Sequence, residues 1–411
     1  MKRITVLIGA GAMKEATDVT TTSITNHVVE KCKECKFENN VPVLEQFCLD
    51  YKNAQSKLSN PNEANFEDLL DMLEILADYN ETGYNTSSSV VLATLKDQYN
   101  LKDKGVLFHT RHTFINAIND YIYDYDKDFL IKGTWMKDFF EQLIAREDCA
   151  IDVFNLNYDT WIEQILNDYV DGYVPLEGYD QFTRFSNNAY LNPGYHHTVS
   201  HLHGQICFEE PDFRIEDINR FAYEEQEYTL YKYADYKNAC DYRKRHVRSD
   251  DKSQAGHNIF LTNLITGKMK PDKILWAPMQ VYMYGFIKAL AQNEDLLIIG
   301  YGFGDQYINN LLFQYLQFHP NRKHIRMVTK TDPEKFERKV SMYGSPFQDT
   351  RSRFAQCMMH KVDWCSPFDF PDNGCYRSVY DDNVAEIYLN GFKDFCERYV
   401  ENRLANTARK D

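Results

Sequence analysis

Ile4-Thr5-Val6-Leu7-Ile8, followed at once by Gly9-Ala10-Gly11-Ala12, is the stretch that decides the fold. A β-branched apolar run reads as a buried strand, and glycines behind it let backbone amides approach a phosphate closely. A full dinucleotide fingerprint has a third glycine where this chain has Lys14, so alone the loop reads equally well as a plain strand-to-loop turn. The strand signal recurs at Cys149-Ala150-Ile151-Asp152-Val153-Phe154, Leu296-Leu297-Ile298-Ile299 and Ile325-Arg326-Met327-Val328, each bounded by turn or helix signals. Strands alternating with helices predict an α/β fold with a parallel, Rossmann-like sheet, which binds ligands outside the carboxyl ends of its strands.

Between the first two strands helical patterns dominate, and residues 40–135 read as a helical insertion. Phe66, Leu69, Leu70, Leu73 and Leu76 recur at helical spacing, with Asn65 placed to cap and Asp68 in the first turn. After the turn Gly300 to Asp305, Ile308, Leu311, Leu312, Tyr315 and Leu316 form another helical stripe. A last helix is expected to begin after Asp382 and Asn383, carrying Val384, Ile387, Tyr388, Phe392, Phe395 and Tyr399, with Gly391 interrupting it at a cost of ~1 kcal/mol. Residues 220–256, rich in Tyr, Glu, Lys and Asp, read as a lid or surface excursion. Their basic cluster Arg243-Lys244-Arg245 with His246-Val247-Arg248 reads first as a solvated charged face. With no repeat or low-complexity tract, residues 1–411 are expected to form a single domain.

Composition narrows the class. A net charge of -15 disfavours a broad, nonspecific contact with nucleic acid or anionic lipid. No run approaches the ~18 to 20 apolar residues of a membrane helix. Lys2 and Arg3 ahead of the first apolar run imitate a secretion signal. The ten cysteines, however, lie mostly singly rather than as a disulfide framework, and favour a cytoplasmic location.

Three further segments carry chemistry: Asn157-Tyr158-Asp159 after the second strand, then Leu202-His203-Gly204, then Gly300-Tyr301-Gly302-Phe303-Gly304-Asp305. In this order, with the opening loop, they suggest a nicotinamide-dinucleotide site. Each residue has a plainer reading. His203 alone reads as a core or loop histidine, and Asp159 as the cap of a helix starting near Thr160. His196, His197, His201 and His203 suggest a metal site by alternation along a strand, but no carboxylate or cysteine set completes it.

Taken together the segments resemble the sirtuin-like family, and more closely its prokaryotic antiviral-defence branch of NAD-consuming proteins than its protein deacylases. The resemblance implies that Gly9, Ala10 and Gly11 form the phosphate loop, with Thr20-Thr21-Thr22 as its hydroxyl cluster and Thr21 and Thr22 as ligand contacts. Met13 stands where the deacylases usually have serine. Asn157 is similar to the family asparagine that works at the nicotinamide ribose, Asp159 to the aspartate supporting the pocket, and Glu163 to a recurrent acidic position of the defence branch. His203 is similar to the family's general base. Gly300, Tyr301, Gly302 and Asp305 look like the Gly-Tyr-Ser-x-x-Asp turn, with Gly302 in place of the serine. Thr329 and Lys330 are candidates by position for the adenosine ribose.

Deacylases of this family typically carry zinc on two paired-cysteine motifs after the histidine. Between His203 and Gly300 this chain has only Cys207 and Cys240, and Cys32-x-x-Cys35 has no partner pair, so no zinc is expected. NAD is then expected as substrate rather than resident cofactor. The family implies an NAD hydrolase acting as an NAD-depleting effector of antiphage defence. It further implies a homo-oligomer held in check by assembly or by a partner such as a hexameric translocase ATPase or an Argonaute-like protein. A non-catalytic NAD or ADP-ribose sensor, and a deacylase or ADP-ribosyltransferase, are the alternatives.

Overall fold

The computed structural model describes residues 2–58, 63–82, 104–214, 229–245, 251–252, 258–259, 262–266, 270–274, 277–318, 323–342, 348–362, 374–380 and 383–401. Its strands are β1 (Lys2–Ile8), β2 (Cys149–Asn155), β3 (Tyr169–Val170), β4 (Tyr173–Leu176), β5 (Tyr179–Phe185), β6 (His197–His201), β7 (Phe208–Glu209), β8 (Tyr231–Tyr233), β9 (Asp251–Lys252), β10 (Asn258–Ile259), β11 (Asp295–Ile299), β12 (His324–Val328), β13 (Cys375–Tyr380) and β14 (Asn383–Tyr388). Eight of them form the central sheet in the order β13-β14-β12-β11-β1-β2-β6-β3. Every pairing in it is parallel except β13 with β14. The α/β class and the parallel, Rossmann-like sheet expected from the sequence are thus present.

Residues of β1 and β11 alternate between two apolar layers, which is why these strands read as continuous apolar runs. Ile4, Val6, Ile8, Leu297 and Ile299 face a layer holding Phe139, Trp161, Phe392 and Phe395. Leu7, Leu296 and Ile298 face the opposite layer, with Phe286, Ile308, Leu312 and Tyr315. Each such side chain, fully withdrawn from water, contributes about 1.5 to 3 kcal/mol.

Between β1 and β2 the chain is helical, with helices at Thr21–Lys31, Val43–Gln55, Phe66–Thr82, Lys104–Asp126 and Thr134–Glu147 among the described residues. The first four share an apolar core built on Val28, Phe47, Leu69, Leu73, Phe114 and Ile118, which also takes in Tyr158, Ile206 and Leu264. Asn65 caps as its type dictates: its Oδ1 accepts the amides of Glu67 and Asp68 at 2.8 and 3.1 Å, and Asp68 Oδ2 accepts Asn65 N at 3.1 Å.

The carboxyl terminus departs from the sequence expectation. Asn383–Tyr388 is not the start of a helix but strand β14, paired in parallel with β12. The helix begins only at Phe392, after Gly391 at φ 99°. Val384, Ala385, Ile387 and Tyr388 fit a buried strand as well as a helix, and Gly391 is the N-cap where the helix begins rather than a flaw within it.

Within 220–256, β8 joins β5 and β7 in a four-stranded antiparallel sheet, and a helix spans Tyr236–Arg245. Arg243 is buried there, its Nε 2.7 Å from Glu209 Oε2. Of the expected lid only residues 229–245 and 251–252 are described; His246-Val247-Arg248 fall outside the described residues, and so does Asp382.

Candidate functional site

Register sets the site. Ile8 pairs with Ile299 and with Asn155, Ile299 pairs with Val328, and Asn155 pairs with His201. Five strands therefore end on one row, and the loops leaving it carry Gly9, Asn157, His203, Gly300 and Thr329 to the same edge.

The glycines at this edge hold two loops together. Gly9 N donates to Ile299 O at 2.9 Å, and Gly11 N to Gly300 O at 2.8 Å. A Cβ on Gly9 would lie 2.7 Å from Tyr301 Cα, and one on Gly11 2.7 Å from Gly300 O. At Gly300, φ +61°, it would lie 2.0 Å from Ala12 N. Glycine is required here because backbone meets backbone. Gly302 and Gly304 differ: an added Cβ would meet nothing within 4 Å, so they border open space beside the loops. Ala10 is exposed and directly precedes the Gly11–Thr17 helix.

Asn157 is buried and tied to both neighbours. Its amide N donates to Asn155 Oδ1 at 2.9 Å, and its Nδ2 reaches Gly9 O at 3.4 Å. The Asn157 carbonyl accepts His201 Nδ1 at 3.3 Å, and His201 Nε2 lies 2.9 Å from Glu163 Oε1. Gln205 Nε2 also donates to Glu163, and Lys232 Nζ stands 3.4 Å from it and 2.6 Å from Asp171. Burial alone would push Glu163 up, yet His201 and Lys232 hold it down at about 2. Burial likewise opposes the charge on His201, but Glu163 raises its pKa.

His203 is 6% exposed, and its Nε2 stands 3.2 Å from Asp305 Oδ2, off hydrogen-bond alignment. Burial lowers its pKa, with Lys270 acting in the same sense and Asp305 and Glu67 against it. Neutral imidazole is thereby favoured near neutral pH. Asp305 divides its carboxylate: Oδ1 accepts the amides of Tyr307 and Ile308 at 2.9 and 3.1 Å, capping the Gln306–Phe318 helix, while Oδ2 faces His203. Burial opposes its ionisation, but His203 and the capped amides bring it to about 2. Tyr301 braces the turn by donating to Asp305 O at 2.9 Å and Asn309 Oδ1 at 2.8 Å.

The other residues named from sequence have partners of their own. Asp159 is fully buried; Oδ1 accepts Trp161 N at 3.3 Å and Oδ2 accepts Tyr125 OH at 3.2 Å. Burial raises it to about 6. It precedes Thr160, the N-cap residue of the Trp161–Ile165 helix, and bonds that helix's first amide rather than capping it as the N-cap residue. Thr21 and Thr22 are exposed in the first turn of Thr21–Lys31, and Thr20 is the capping residue, paired with Ser23. Thr329 Oγ1 accepts Arg351 Nη1 at 3.3 Å, and Lys330 pairs with Glu15 at 2.9 Å. The four histidines take separate partners: His196 with Asp168, His197 with Ile151 N, His201 with Glu163, His203 with Asp305. Among the described residues no group of three or more His, Cys, Asp or Glu is placed to hold a metal ion.

Sequence reasoning missed Glu67 and Lys270, paired at 2.9 Å and acting electrostatically on His203. They lie 203 residues apart in no motif, so only the fold brings them together.

Asn155 Nδ2 and His203 Nε2 are each buried without a hydrogen-bond partner. No helix among the described residues is long and apolar enough to cross a membrane. No curated protein matches the chain significantly. Residues 152–346 match the family described as SIR2-like domain. That match runs from Asp152 in β2 past the Gly300 turn and β12, so this part of the chain is similar to a SIR2-like domain.

Proposed function

We propose that the chain is an NAD hydrolase that releases nicotinamide and ADP-ribose. The observation that carries this reading is the convergence of Asn157, His203 and Asp305 on the sheet edge formed with the Gly9 and Gly300 loops. Breaking the bond between ribose C1′ and the nicotinamide nitrogen builds positive charge on the sugar, as in glycoside hydrolysis, and the pyridine departs neutral with the bond's electron pair. No acid is needed for it. Water then forms the new C1′–O bond, and its proton passes to the neutral His203 Nε2 and on to solvent. Asn157 positions the water or a ribose hydroxyl without locking into an ion pair. Asp305 stabilises the imidazolium once formed.

Unchecked NAD loss is toxic, so the activity is proposed to serve antiphage defence, in the cytoplasm, under control of a homo-oligomer or of a partner such as a hexameric translocase ATPase or an Argonaute-like protein. Purified chain incubated with NAD alone, then with NAD and an acylated peptide, tests the substrate class. The reading expects equal nicotinamide and ADP-ribose in both. Product only with peptide would establish a deacylase instead, and binding without turnover, with or without co-purified partner, a sensor.

A further inference from the structure

The backbone of His203 is held by residues 262–266. Ile265 N donates to His203 O at 2.7 Å, Gln205 N to Asn263 O at 3.1 Å, and Gly204 forms an antiparallel bridge with Leu264. The fit is close: at Gly204, φ +88°, a Cβ would lie 1.9 Å from Asn263 O. The 262–266 segment is in turn held by the helical block between β1 and β2. Asn263 Nδ2 donates to Asn119 Oδ1 at 2.7 Å, and Asn119 Nδ2 returns a bond to Asn263 Oδ1 at 3.3 Å. Both residues are essentially fully buried. Lys273 joins Thr266 O at 3.0 Å to buried Glu74, and Lys270 joins Glu67. Glu67 and Glu74 lie one above the other on Phe66–Thr82, two turns apart. Amide pairs of this kind fix a buried segment in one register, since either half alone leaves unsatisfied groups.

We propose that the helical block is a working part of the site: through the Asn119–Asn263 pair and the Glu67–Lys270 pair it fixes both the place and the electrostatic setting of His203. Asn119, Glu67 and Lys270 are positioning residues, and displacing the block disarms the base. A regulator has only to move these helices to change the rate. The inference rests on His203 being the base of NAD cleavage. The charged or titratable groups acting on His203 are Asp305 from the turn after β11, Lys270, and Glu67. Buried Tyr158, which shares Glu67 and Asp305 as neighbours, stays neutral because burial raises its phenol.

The test uses the full chain and measures kcat, NAD affinity by calorimetry, and the pH dependence of kcat/KM for Asn119→Ala, Lys270→Met, Glu67→Gln and His203→Ala. Asn119→Ala should lower kcat about tenfold or more with NAD affinity within about twofold, the mark of lost positioning rather than lost binding. Removing the Lys270 cation should move the acidic limb of the profile to higher pH, and removing the Glu67 anion should move it to lower pH. Opposite shifts are not the signature of mere loosening. If Asn119→Ala does not fold, the Lys270 and Glu67 variants, at partly exposed positions, decide. Parent kcat and an unmoved limb in these variants, with His203→Ala inactive, would overturn the inference. A fully active His203→Ala would instead overturn the assignment of the base.

Discussion

Glu163 is the residue whose environment makes the sharpest prediction. Held at about 2 against an ordinary carboxylate value, it contributes stability above that ordinary value, lost as pH falls towards 2. His201 has the opposite sign: raised by Glu163, it contributes stability below its ordinary value, lost as pH climbs past its raised one. The pair therefore stabilises most between about pH 4.5 and 6.5. Glu163→Gln should cost roughly 3 kcal/mol in urea unfolding at pH 6, as removing one partner of a buried ion pair does. Its stability should also change less between pH 6.5 and 8 than the parent's. Equal curves would mean the network is not under load. The same pair places the carbonyl of Asn157, so its loss should reach the site as well.

At the scale of elements, the two kinds of glycine in the Gly300 turn can be told apart. Gly300→Ala forces a Cβ to 2.0 Å from Ala12 N at positive φ and should lower the melting temperature by several degrees. Gly302→Ala, which meets nothing, should leave it within about 2 °C. If Gly302 faces the ligand, its effect appears in NAD affinity instead. The sequence made the strands legible because β1, β2, β11 and β12 are buried on both faces and are mostly apolar, broken only by single polar residues such as Thr5, Asp152 and Arg326. It misled at Asn383–Tyr388, where a short apolar run fits either period. Within the site, Gly9, Asn157, His203 and Asp305 stood in recognisable local patterns. Glu67, Lys270 and Asn119 did not, because their role comes from packing between distant segments.

For the whole molecule, the helical block is tied to the Lys270–Lys273 helix by a buried ion pair, Lys273 with Glu74. Lys273→Met leaves buried Glu74 without its hydrogen-bonded partner, with Arg111 as a remaining favourable cation, and should cost about 3 kcal/mol in unfolding free energy. The double variant Lys273→Met with Glu74→Leu should recover much of that loss. NAD binding to the folded chain should raise its melting temperature with ligand concentration. The most direct test of the central claim is nicotinamide release from NAD, without peptide, by the parent chain beside Asn157→Ala and His203→Ala. Release by the parent and its loss in both folded variants is the predicted result, and release that survives both substitutions would contradict it.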